Sequence, residues 1–238
     1  RWGNRVPQLS FEVTRGIRGA ESLAENVEAV ALIPGTGEYA LATEDVSIDV
    51  GLGETRILNR NTPMGGTDFA VSLRTLGQEL PKVGSVSLVV SWFGDDLRVN
   101  RCAVRPKVEQ KLNDGQEMPW RAGGIDRDAA EEIVRKDGRS IYGGTPADGS
   151  VVQAIRAIRA AGKAAVFYPF ILMEQMAGNG RPDPWTGAAD QPVMPWRGRI
   201  TCSPAAGFAG SVDKTATAAT QVAALFGTAT PANFSLSG

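Results

Sequence analysis

The chain has 238 residues, a net charge of -1, and 42% hydrophobic and 21% charged residues, an ordinary globular balance. It carries no histidine, which excludes a Ser–His–Asp triad or a His-bearing zinc site and leaves acid–base chemistry to carboxylates, Tyr, Lys or Cys. The near-neutral charge gives no global attraction to nucleic acid or anionic lipid, and no segment approaches the roughly 20 apolar residues of a membrane span.

The N-terminal Arg1–Arg5 contains no apolar signal-peptide core. A chain that opens and ends in mid-pattern reads as a segment of something larger. Leu9, Phe11 and Val13 alternate with Ser10, Glu12 and Thr14, and this period of two predicts a half-buried strand over residues 6–15. Glu28–Ile33 predicts a second strand before the breaker Pro34–Gly37. Residues 35–66 lack sustained periodicity and read as a long loop with short strands.

Phe69, Leu73, Leu76 and Leu80 fall at helical spacing behind Thr67 or Asp68 as cap, with Pro81 as the stop. Ser85–Phe93 is nearly continuous in β-branched and apolar residues, as expected of a strand covered on both faces. Residues 97–140 read as an excursion outside the main sheet, with a short helical pattern at Asp126–Val134. Asp148 is placed to cap a helix carrying Val151, Val152, Ile155 and Ile158, with Gly162 as its C-terminal glycine. The apolar run Ala164–Met173 follows at once and reads as a buried strand. A right-handed crossover sets Ser85–Phe93 and Ala164–Phe170 side by side and parallel. Residues 178–198 form a Pro/Gly/Trp-rich loop, and a last helix capped by Asp213 runs through Val222, Leu225 and Phe226 to Gly227. Cys102 and Cys202 are far apart in no metal-like spacing and read as two buried or half-buried thiols, a disulfide being the lesser alternative.

In parallel α/β folds the site lies at the C-terminal ends of the strands. Asp95, Asp96 and Glu174 hold those positions, the right place for a glycosidase-type carboxylate pair. Acidic residues after strands equally serve as caps and loop anchors. Trp92, Tyr168, Trp185 and Trp196 are candidate sugar-stacking platforms, the plainer expectation being an aromatic cluster that pins a loop. Gly143–Pro146 precedes a helix but lacks the lysine of a P-loop and the spacing of a dinucleotide fingerprint.

Several segments, in order along most of the chain, resemble one family. They are Trp2–Val13 (Trp-Gly-Asn-Arg-Val-Pro-Gln-Leu-Ser-Phe-Glu-Val), Val86–Leu97, Arg105–Glu109, Tyr142–Asp148, Phe167–Phe170 and Pro195–Cys202. The family is the large baseplate protein of gene transfer agents and related siphophage tails, called megatron or host specificity protein, which carries a glycoside-hydrolase TIM-barrel-like domain.

The resemblance implies an α/β chain in which a small β-rich, hub-like junction (residues 1–66) precedes the N-terminal part of a TIM-barrel-like (β/α) domain with long insertions (67–238), the barrel continuing past residue 238. It implies a structural baseplate component serving tail assembly and attachment to, or penetration of, the host envelope. It implies hub and baseplate proteins as partners, a homotrimer in the assembly, contact with a cell-surface glycan, and residence at the tip of a virion-like particle assembled in the bacterial cytoplasm and then released. Neither nucleic-acid binding by this segment nor a cofactor nor a metal is expected. The alternatives are a glycoside hydrolase acting on an envelope glycan and a non-catalytic carbohydrate-binding module. No family motif transfers a catalytic role onto a residue here, so Asp95, Asp96 and Glu174 stand on position alone. Arg98, Arg101, Arg105 and Lys107, together with the Pro/Trp loop at 181–197, are the expected contact surfaces.

Overall fold

A computed structural model describes residues 22–233 and 235. The strand expected over residues 6–15 lies outside the described residues. Elements follow in the order α1 (Leu23–Asn26), β1 (Ala29–Leu32), β2 (Ser47–Gly51), β3 (Glu54–Ile57), α2 (Asp68–Glu79) and β4 (Ser85–Gly94). Seven two-residue strands come next: β5 (Val104–Arg105), β6 (Lys107–Val108), β7 (Arg121–Ala122), β8 (Ile125–Asp126), β9 (Glu131–Glu132), β10 (Arg135–Lys136) and β11 (Arg139–Ser140). The chain continues through α3 (Asp148–Ala160), β12 (Ala164–Met173) and α4 (Ala216–Phe226). The fold is mixed α/β, with small, open sheets.

The principal sheet has the order β1–β4–β12, with β5 antiparallel to the end of β4. Both β1 and β12 run parallel to β4, and β12 matches it along its whole length from Ala164↔Ser85 to Met173↔Gly94. The parallel pairing expected of Ser85–Phe93 and Ala164–Phe170 is therefore present. The division expected at 66/67 runs between β1 and β4, which are hydrogen-bonded neighbours.

Periodicity explains which face of the sheet is covered. Side chains alternate along a strand, and Val86, Leu88 and Val90 of β4 all point to one face. There they meet Phe69 and Leu76 of α2 and Val151, Ala154 and Ile158 of α3 in the main core. On the opposite face Ser87, Val89 and Ser91 are only half-buried. Cover on both faces was expected of β4; it is complete toward the helices and partial on the other face, where Phe93 at the strand end is buried beside the Tyr142 ring. β12 departs further from the expected buried strand, since Val166, Phe167 and Tyr168 are exposed. The reason is its place in the sheet: among the described residues no strand pairs with its outer edge.

The helix ends follow capping chemistry, with two corrections. Thr67 caps α2 by accepting a hydrogen bond from the Ala70 N–H, and the helix stops just before Pro81. The cap of α3 lies one position before the expected one: Ala147 is its N-cap without a side-chain bond, and Asp148 is the first helical residue. The Asp148 carboxylate accepts from the Gly123 N–H at 3.1 Å instead. The cap of α4 is Thr215 rather than Asp213, because Thr215 Oγ1 reaches the Ala218 N–H. Gly162 and Gly227 close their helices at positive φ, as expected. The helical pattern expected at Asp126–Val134 is absent. That stretch is split between β8 and β9, with β9 paired to β6.

The excursion builds a second core around Trp120, which is fully buried with Tyr39, Val46, Val108 and Ala122. The Trp120 indole N–H donates to the Thr145 carbonyl at 2.8 Å. Beneath it Arg127, 4% exposed, donates to the Glu38 carboxylate at 2.5 Å and the Asp114 carboxylate at 2.9 Å. Both cysteines are free thiols, Cys102 buried and Cys202 half-buried.

Candidate functional site at the C-terminal strand ends

The Gly143–Gly144 pair is a close-packing joint. A Cβ on Gly143 would lie 2.4 Å from the Gly37 nitrogen, and one on Gly144 would lie 2.5 Å from Glu38 Cγ. Bare backbone is what lets this segment lie against residues 36–38. Thr145 then exchanges two bonds with Lys107: its N–H donates to the Lys107 carbonyl at 2.8 Å, and its Oγ1 accepts from the Lys107 N–H at 3.0 Å. The joint thereby places the Lys107 side chain at the end of the sheet.

Here β4 and β12 end together, and a cleft of about 400 Å³ opens between Asp95, Lys107, Glu131, Glu174, Gln175 and Arg181. Two of the three carboxylates singled out in the sequence, Asp95 and Glu174, share its wall. Asp95 accepts from the Ala103 N–H at 2.8 Å and faces an Arg181 guanidinium nitrogen at 3.3 Å. Glu174, 5% exposed, is ion-paired with Lys107. Lys107 is itself 7% exposed and also holds Glu131 at 2.8 Å. Burial alone would lower the Lys107 ammonium pKa, but its bonds to Glu131 and Glu174 outweigh burial and raise it. The same lysine holds the Glu131 carboxyl below its ordinary value.

Asp96 is not in the cleft wall. It is 3% exposed and accepts from the Arg98 N–H at 2.8 Å, the Arg98 guanidinium at 2.6 Å and the Gln191 amide at 2.7 Å. Burial pushes its carboxyl up, but the Arg98 and Gln191 bonds win and hold it below the usual carboxylate value. Gln191, 2% exposed, is a plug from the 178–198 loop. Its Oε1 accepts from the Leu97 N–H at 2.9 Å and from the Gln175 amide at 3.0 Å. Those two donors fix both amide orientations, leaving Gln175 Oε1 as a buried acceptor without a partner.

The four aromatics do not converge. Trp92 packs over Gly123, where a Cβ would meet its ring at 2.5 Å. Trp185 donates to the Arg199 carbonyl at 2.6 Å and meets Phe208 edge-on. Both pin loops. Tyr168 and Trp196 belong to one cluster through Arg197, whose guanidinium lies 3.8 Å from the Phe170 ring centroid and 4.4 Å from that of Trp196, and donates to the Tyr168 hydroxyl at 3.1 Å. The basic cluster expected as a free contact surface is largely paired: Arg98 with Asp96, Arg105 with Glu131, and Lys107 with Glu131 and Glu174.

Sequence reading missed Glu131, Arg181, Gln175 and Gln191 as members of this end of the sheet. Glu131 of β9 and Arg181 and Gln191 of the 178–198 loop are far in sequence from the strand ends they serve, Gln175 follows β12 directly, and no local pattern marks any of them. Chemically the arrangement is a lattice of matched charges that fixes the excursion and the 178–198 loop to the strand ends. Among the described residues no group of three or more Cys, Asp or Glu side chains is arranged to hold a metal ion. No family model matches this chain, and a search of curated proteins finds no match.

Proposed function

We propose that this chain is a structural module of a phage-like tail baseplate, and that its sheet is the opening arc of a TIM-barrel-like domain. The observation that carries the reading is the strand order. The three strands of the principal sheet, β1, β4 and β12, lie side by side in chain order and parallel, with α2 and α3 falling between them in the chain on one face. That is how a (β/α) barrel begins, and it is the fold that the resembling segments lead one to expect. A partly open inner face and an outer edge of β12 that is unpaired among the described residues suit an arc that further strands complete.

The module sits at the tail tip of a virion-like particle, assembled in the cytoplasm and released. It docks on hub and neighbouring baseplate proteins as a homotrimer and presents its loops to a glycan of the host envelope. The charge-matched strand ends favour scaffold over catalyst, since Asp95 and Glu174 each already have a cationic partner. Immunogold labelling of purified particles with an antibody to this chain is expected to mark one end of the tail. Label absent from particles but present in the producing cells would sink the assignment.

The second reading is a glycoside hydrolase, favoured by the shared cleft of Asp95 and Glu174. It requires glycan release by the full-length protein that is lost in Asp95→Asn and Glu174→Gln; no release from purified envelope glycans discards it.

A further inference from the structure

Two local features of this chain are unfavourable in isolation and unexplained by its own packing. The β2–β3 hairpin turns through Gly51, Leu52 and Gly53, all at positive φ. Glycine or asparagine suits such a turn, whereas an apolar L-residue at φ 55° is strained there. Leu52 is nonetheless completely exposed at the tip, with Val50 exposed beside it. The second feature is Gly77. It lies within α2, and the helix closes later, at Leu80, so this glycine is no cap and weakens the helix. A Cβ there would meet nothing within 4 Å beyond its own helix backbone and chain neighbours. No contact in this chain therefore requires a glycine at that position.

The missing side chain at Gly77 leaves open a groove of about 560 Å³ between α2 and α3, with Leu73 on one wall and Ala157 and Ala161 on the other. The groove lies on the helical side of the sheet, away from the face that further strands would enclose. Its charged members are Arg74 and Lys163, and no carboxylate lines it. Lys163 Nζ donates to the Val83 carbonyl, whereas the Arg74 side chain has no hydrogen-bond or ion-pair partner among the described residues. The hairpin tip carries the opposite sign. Asp49 and Glu54 flank Leu52, and Arg56 lies two residues further from the tip. Asp49 accepts from the Gly51 N–H at 2.7 Å, and the Glu54 carboxylate has no partner among the described residues. An apolar knob rimmed by carboxylates and an apolar groove rimmed by cations are thus complementary, and the exposed knob does not fill the groove of its own chain.

We propose that the Leu52 hairpin tip of one copy of this chain seats in the α2/α3 groove of a second copy, with Glu54 on Arg74. The two surfaces differ, so the contact is head-to-tail, and such contacts close as rings. The proposal rests on the homotrimer reading above and supplies its contact. Sedimentation velocity of the full chain over a concentration series tests it, and the parent is expected to associate. Leu52→Gly relieves the turn, and Gly77→Leu strengthens the helix while filling the groove. Each is expected to keep the near-UV circular dichroism of the parent and to associate at least about tenfold more weakly, as loss of one buried leucine implies. Mixed in equal amounts, these two variants retain one intact knob and one intact groove between them, and are expected to form a one-to-one pair and nothing larger. Glu54→Arg and Arg74→Glu are each expected to weaken association, and the double variant to regain it. Undiminished trimer in both Leu52→Gly and Gly77→Leu overturns this contact and leaves the homotrimer reading standing; a parent that stays monomeric at every concentration overturns both. A double charge variant no tighter than its singles, or a mixture in which no pair forms, overturns the seating of this tip in this groove.

Discussion

The two flanks of β4 teach different lessons about the same sheet. Toward α2 and α3, each apolar position of β4 finds a partner, and Phe69, Val86, Leu88, Ala154 and Ile158 are completely buried. Toward β12, the backbone ladder is equally regular along ten residues, yet Phe167 stays 53% exposed and Val166 47%. Hydrogen-bonded pairing alone thus does not bury side chains; a covering layer does. The first flank behaves as a finished core and the second as a surface prepared for cover.

Substitutions can break or sharpen that contrast. The largest effect is expected for Phe69→Ala, which should lower unfolding free energy by about 3–5 kcal/mol in urea denaturation, against a change within about 0.5 kcal/mol for the exposed Phe167→Ala. Equal losses at the two sites would mean that β12 is covered in solution. Comparable in size is Arg127→Met, expected to destabilise by about 3–5 kcal/mol because it strands the Glu38 carboxylate in the second core. Burial already pushes the Glu38 pKa upward even with Arg127 beside it, so the loss should be smaller at acid pH than at neutral pH.

Next comes Gly143→Ala. Its new methyl would meet backbone rather than a flexible side chain, and a loss of about 1–3 kcal/mol is expected by the same denaturation measurement. An unaffected variant would show that the joint carrying Lys107 has slack.

The smallest effect tests the site through pH. Asp96 is held below its ordinary value of 3.8. A carboxyl depressed on folding stabilises the native state fully above its unfolded pKa, and that contribution fades as pH falls through the folded value. Wild type should therefore exceed Asp96→Asn in stability near neutral pH, and the gap should narrow below 3.8. A gap independent of pH would assign the role of Asp96 to packing rather than charge.

Much of this architecture was readable because it is locally encoded. The apolar spacing of Phe69, Leu73 and Leu76, the stop at Pro81 and the glycines at 162 and 227 each act over one or two helical turns. The short helix expected at Asp126–Val134 failed where β6 offered Glu131 and Glu132 a strand partner, so a tertiary neighbour overrode local preference. The candidate carboxylates were legible by position, because strand ends mark themselves. Their partners were not. Arg181 reaches Asp95, Gln191 reaches Asp96 and Lys107 reaches Glu174 across loops of many residues, and nothing in a one-dimensional pattern ranks one arginine over another.

By itself, then, the sequence determined where α2, α3, α4, β4 and β12 lie, which face of α2 and α3 is apolar, and that the absence of histidine leaves chemistry to carboxylates, Tyr, Lys or Cys. Only the tertiary structure decided that β1 joins the sheet, that one face of that sheet is only partly covered, and that Asp95, Asp96 and Glu174 stand in ion pairs. The physical reason is range. Backbone geometry and side-chain periodicity act over a few residues, whereas burial and charge matching depend on which distant segments the folded chain brings into contact.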